Sequence, residues 1–199
     1  MAEAETINRR EAIRRVSAML GGVSFIGGTA LLEGCASYQA GDYTGNLFSA
    51  QDIALLDEIA DTILPATDTP GARAAGVGPF IAVMVTDTYY PDDQAIFLDG
   101  LETIEATSRQ RFGAGIMDIT PAQRLALVEA LDREQFEHMN NNAPGAPAHY
   151  FRMMKQLTLL GYFTSEIGYT QAMRYQEVPG RFEPCTELSP DDTIWADHA

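Results

Sequence analysis

The chain has 199 residues, 46% of them hydrophobic and 21% charged, enough for one folded domain with a core of its own. Lys and Arg number 13 against 28 Asp and Glu, a formal net charge of -15. Such a balance repels the phosphate backbone, so nucleic acid is excluded as a partner.

The N-terminal 37 residues read as an export signal. Asn8, Arg9, Arg10, Glu11, Ala12, Ile13 and Arg14 form a charged region ahead of an apolar run from Val16 to Leu32. That run spans 17 residues and contains Gly21, Gly22, Gly27 and Gly28. It falls short of the roughly 20 strongly apolar residues that a membrane-spanning helix needs. Arg9 and Arg10 followed by apolar residues are similar to a twin-arginine signal, with Ala12 where a bulkier apolar residue is usual. A general secretory signal with a coincidental arginine pair is the alternative. Leu32-Glu33-Gly34-Cys35 resembles a lipobox, with Glu33 departing from the pattern, so Cys35 is either lipidated or lost by cleavage near Ala36 or Ser37. Either route leaves Cys185 as the one free thiol of the mature chain, and an odd cysteine in an oxidising compartment invites an intermolecular bond.

Residues 38–46 lack a hydrophobic period and read as a linker, and the folded domain spans 47–199. Ser49 and Asp52 make a capping-box start for a first helix, whose inner face carries Ile53, Leu56, Ile59, Ala60 and Ile63. Pro65, Pro70 and Gly71 end it in a rigid connector. Pro79 opens a second helix, apolar nearly all round and therefore central or facing a partner. Asp92 and Asp93 suit the start of a third helix, which places Ile96, Phe97, Leu101 and Ile104 inward and ends near Phe112 and Gly113. Thr120-Pro121-Ala122-Gln123 starts a fourth, with Leu125, Leu127, Val128, Leu131 and Phe136 behind it. After a loop at 140–147 a fifth begins near His149, carrying Tyr150, Phe151, Met154, Leu157, Leu159 and Leu160. Thr164 or Ser165 caps a short sixth with Ile167 and Met173. No segment alternates with a period of two. The expected fold is all-α, an irregular bundle of about five to six helices with an extended, proline-marked C-terminal tail.

Chemistry is sparse in this sequence. Haem-attachment, dinucleotide, P-loop and nucleophile-elbow motifs are all absent. Asp57, Glu58 and Asp61 follow the polar side of the first helix, and a solvated face accounts for them. Glu134 and His138, four residues apart, could imitate a metal site with His149, although such pairs are frequent on solvated helices. No catalytic residue, cofactor seat or metal ligand is therefore assigned.

The densest signal is Leu160 to Cys185, where Tyr162, Phe163, Tyr169, Tyr175 and Phe182 are too many aromatics for a solvated face. Glu166 suits a helix start or a buried contact with a partner, and Arg174 and Arg181 suit interface anchors. The twin-arginine leader, the block LPATDTPGARAAGVGPFI and the words GYFTSEIG and MRYQEVPGRFEPC, which come along the chain in the same order as in that family, resemble the gluconate 2-dehydrogenase subunit 3 family. The resemblance implies a small subunit without flavin, partnered with a large flavin-dependent dehydrogenase of the glucose-methanol-choline type. FAD then belongs to the partner, and haem c to a multihaem cytochrome that often forms the third subunit. It implies a periplasmic protein, anchored by lipidation or through its partners, whose leader engages the twin-arginine translocase and escorts a large subunit lacking one. Tyr162, Phe163, Glu166, Tyr169, Arg174, Tyr175, Arg181 and Phe182 become the expected partner interface, and Cys185 the candidate for a disulfide to the catalytic subunit. Two other classes stay open: a stand-alone exported lipoprotein with a structural or binding role, and an enzyme using His138, His149 and nearby acids.

Overall fold

The computed structural model describes residues 47–143, 145–178, 180, 185, 187, 189–190 and 192–196. Arg9, Arg10, Cys35, Arg181 and Phe182 lie outside them. Five α-helices occur in order among the described residues: α1 Ala50–Ile63, α2 Val77–Thr88, α3 Pro91–Phe112, α4 Pro121–Asn141 and α5 Tyr150–Phe163. A π-helical turn, Gly168–Ala172, comes after them. The fold is all-α, as expected.

Local chemistry sets most of the boundaries. Ser49 accepts from the Asp52 amide while Asp52 Oδ2 accepts from the Ser49 amide at 2.8 Å, and Thr120 with Gln123 repeats the device at α4. Each satisfies two amide donors that a helix start leaves unpaired. α3 begins on Pro91 with Asp92 and Asp93 in its first turn, and Gly113 closes it at a φ of 79°. α2 starts two residues before Pro79, because Gly76 takes a left-handed turn and Asp57 Oδ1 accepts from the Gly78 amide at 2.9 Å. A Cβ on Gly78 would stand 2.5 Å from that same oxygen, so glycine lets the two helices approach.

α5 is the hub, packing against α1, α2, α3, α4 and the π-helical turn. Phe97, Phe151, Leu56, Ile59, Ile81, Ile104, Leu127 and Met154 form the interior. α2 is central on one side, burying Val77, Ile81 and Val85. The apolar residues of α4 and α5 do not all turn inward. On α4 the buried residues are Leu127, Val128, Leu131 and Gln135, while Leu125 and Phe136 point outward at 48% and 63% exposed. Leu159 and Leu160 at the end of α5 are exposed as well. In each case a helix has more apolar positions than its buried stripe can take.

The acidic row of α1 also departs from a solvated face. Asp57 is half-buried against α2, Asp61 accepts from the Arg73 amide at 3.2 Å, and Glu58 pairs with both Arg73 and Arg124. Arg124 in turn donates to the Ile116 and Ile119 carbonyls. These acids strap the proline-rich connector and the α3–α4 loop onto α1. Burial raises the Asp57 carboxyl above its usual range against the lowering effects of the Gly78 amide and Arg73.

Candidate partner interface

The C-terminal stretch divides into inward and outward parts. Tyr162 is 4% exposed, and its hydroxyl donates to the Pro70 carbonyl at 2.8 Å with Thr69 Oγ1 at 3.3 Å. It ties α5 to the proline-rich connector and is spent inside the chain, so it does not present a face to a partner. Phe163 stands edge-on to it at 5.2 Å and is 39% exposed, beside Leu160. Ser165 caps the turn that comes after α5: its Oγ accepts from the Gly168 amide at 3.0 Å and donates to the Tyr162 carbonyl at 2.7 Å. Glu166 is exposed at the start of that turn, where negative charge suits the free amides. A Cβ on Gly168 would lie 2.0 Å from the Tyr162 carbonyl oxygen, so only glycine lets the π-helical turn fold back onto α5.

Tyr169 and Tyr175 pair edge-to-face at 5.7 Å, with Tyr175 exposed. Arg174 is committed to the chain's own tail. Its amide donates to the Ile194 carbonyl, its carbonyl accepts from the Ala196 amide, and its Nε donates to the Thr193 carbonyl, all within 2.9 Å. Its guanidinium also faces Asp192 and lies over the Trp195 ring at 4.8 Å. The residues between are thereby closed into a loop at their base. Cys185 lies within that loop, exposed and free, and Val178 and Ile194, nearer the two ends of the loop, are exposed as well.

The histidine group is brought together. His149 Nδ1 accepts from the Phe151 amide at 3.2 Å, which caps α5 and leaves the proton on Nε2, 3.5 Å from Glu134 Oε1. The His138 ring meets His149 edge-on at 5.2 Å, and Asn142 and the Pro147 carbonyl lie within 3.4 Å of His138 Nε2. Burial lowers the His149 pKa, with Glu134 opposing and His138 adding to the shift. Tyr150 stacks on His149, and its buried hydroxyl, pushed up to about 12 by desolvation and then by Glu134, stays protonated. The group works as a helix cap and a packing joint between α4 and α5. Among the described residues no cluster of three or more His, Cys, Asp or Glu side chains can hold a metal ion, and no helix is long and apolar enough to cross a membrane.

The family described as gluconate 2-dehydrogenase subunit 3 matches residues 50–180. The chain belongs to that family. The match runs from the first residue of α1 to Gly180, so it takes in the connector, the helical hub and the GYFTSEIG turn of this subunit 3 member. Comparison with curated proteins and with solved structures finds no match.

Proposed function

We propose that the chain is the non-catalytic small subunit of a membrane-associated, flavin-dependent sugar or alcohol dehydrogenase complex, escorting the catalytic chain through twin-arginine export and stabilising it afterwards. Membership of the subunit 3 family over residues 50–180 carries this reading. FAD resides in the large partner and haem c in a cytochrome third subunit. The place of action is the periplasm, with attachment through Cys35 or through the partners. Exposed Phe163, Val178 and Phe136 support a role that needs a second chain, since large apolar groups cost solvation when left uncovered. Cys185, exposed and unpaired, is available for a disulfide to the catalytic chain.

Co-expression with the large dehydrogenase chain tests the proposal. The two chains should co-purify, flavin should accompany the large one, and Arg9→Lys with Arg10→Lys should leave both in the cytoplasm, because lysine lacks the planar guanidinium fork. A small chain that purifies alone and monodisperse beside an active, exported large chain would refute it. Non-reducing electrophoresis should show one band at the summed mass that is lost in Cys185→Ser.

A further inference from the structure

Leu125, Glu129, Asp132 and Phe136 run along one outer face of α4, since steps of four, three and four residues return to the same side of a helix. About 16 Å separates its two apolar ends, which are 48% and 63% exposed. Two hollows border this stripe. One, of about 300 Å³, lies among Asp132, Gln135, Phe136 and Lys155. The other, of about 190 Å³, lies among Ile63, Leu125, Val128 and Phe151. Between them Lys155 Nζ donates to Asp132 Oδ1 at 2.7 Å.

A second observation comes from the first hollow. Gln135 lines it and is only 6% exposed, and its Nε2 donates to Asp132 Oδ1 at 3.1 Å. Its Oε1 is buried and accepts no hydrogen bond among the described residues. A buried amide acceptor without a donor is costly, and a turn of the Gln135 side chain toward the hollow lets an arriving N–H or O–H donor relieve that cost. The charges at the rim narrow the occupant further. Asp132 is already paired with Lys155, and exposed Glu129 and Glu137 stand four residues to either side of Arg133, so this stretch of the rim carries more negative than positive charge. A second copy of a chain carrying a net charge of -15 is disfavoured by repulsion.

We propose that this groove between α4 and α5 seats a segment of the large partner chain. That segment brings one apolar side chain against Leu125 and another against Phe136, a hydrogen-bond donor for Gln135 Oε1, and a basic residue against Glu129 and Glu137. The inference rests on the reading of the chain as a dehydrogenase subunit, and it places contact on a helix face well before the aromatic C-terminal stretch in sequence.

The test uses the co-expressed dehydrogenase complex. Hydroxyl-radical footprinting of Phe136 should fall at least fivefold from the free chain to the complex. Phe136→Asp and Leu125→Asp should each weaken the complex tenfold or more while the free chain keeps its melting temperature, because both positions are exposed. Gln135→Met, which removes the unsatisfied acceptor at similar volume, should weaken the complex several-fold without lowering the stability of the free chain. Unchanged footprint and affinity in a complex that does form would overturn the groove and leave the subunit reading intact. No complex with the wild-type chain would overturn both. A wild-type chain that self-associates and becomes monomeric in Phe136→Asp would assign the face to a second copy instead.

Discussion

The C-terminal aromatic stretch and the outer face of α4 exchange the roles that their sequences suggest. The first is dense in aromatics, yet Tyr162 is buried, Tyr169 and Tyr175 face each other, and Arg174 holds the tail. The second reads as an ordinary amphipathic helix, yet it leaves Leu125 and Phe136 outside. The difference shows that aromatic density measures how much surface a segment can bury, whereas exposure depends on whether its own chain supplies the cover. A connector whose Pro70 carbonyl accepts from the Tyr162 hydroxyl covers Tyr162, and no described element covers Phe136.

Substitution at these two positions should separate the regions most widely. Tyr162→Ala removes a buried ring and its hydrogen bonds and should cost about 3 to 5 kcal/mol, whereas Tyr162→Phe should cost about 1 kcal/mol. Phe136→Ala should stay within about 0.5 kcal/mol of wild type. Urea denaturation of the free chain measures all three. Equal losses at Tyr162 and Phe136 would remove the contrast between a spent face and an available one.

Gly168→Ala comes next, since its Cβ would stand 2.0 Å from a backbone carbonyl that cannot swing aside as a side chain can. Forcing the turn away from α5 should cost about 1 to 3 kcal/mol. An alanine variant with wild-type stability would show that the π-helical turn is not pressed against α5.

Much of the fold was legible because helix ends are written in short-range chemistry. Ser49 with Asp52, Thr120 with Gln123, Asp92 with Asp93, Gly113 and Ser165 each act within a short span of chain, and each marks a helix end where the sequence placed it. Inward and outward faces were less legible. On α4, Phe136 and Gln135 are adjacent, and which of them turns inward depends on where α5 lies, a long-range fact with no local signature. The same holds for Glu58, whose partners Arg73 and Arg124 come from different loops and helices. In the expected interface, nothing near Arg174 announced that its guanidinium would meet Asp192 and Trp195 of its own tail.

The joint between α4 and α5 should respond to acid. His149 caps α5 through an unprotonated Nδ1, and its pKa is lowered, chiefly by burial. A histidine whose folded pKa lies below its unfolded value of about 6.5 contributes stability that is complete above that value. The contribution is lost as the pH falls through the folded value, when protonated Nδ1 can no longer accept the Phe151 amide. Loss of a cap is worth about 1 kcal/mol. Melting temperature measured from pH 7.5 to 4.5 should therefore fall more steeply for wild type than for His149→Asn, which caps without titrating in this range. Identical slopes would show that the cap is insensitive to protonation.

The smallest effect on global stability is expected at Arg174, and it sharpens the comparison most finely because it acts only on the tail. Arg174 closes the loop by backbone contacts at Ile194 and Ala196 and by side-chain contacts at Asp192, Thr193 and Trp195. Alanine keeps the backbone pairs and removes the rest. The lost ion pair lies at the surface, where such pairs are worth about 0 to 1 kcal/mol, so denaturation of the whole domain should barely change. The opening of the loop should change more, because local unfolding needs only the local contacts to break. Limited proteolysis should cut Arg174→Ala between residues 175 and 194 several-fold faster than wild type, with cleavage in α4 unchanged. Added partner chain should slow that cleavage if the loop docks on it, and should protect Phe136 from footprinting whether or not Arg174 is present. Equal cleavage rates in the two free proteins would show that the guanidinium does not hold the tail, and would leave Arg174 available to a partner.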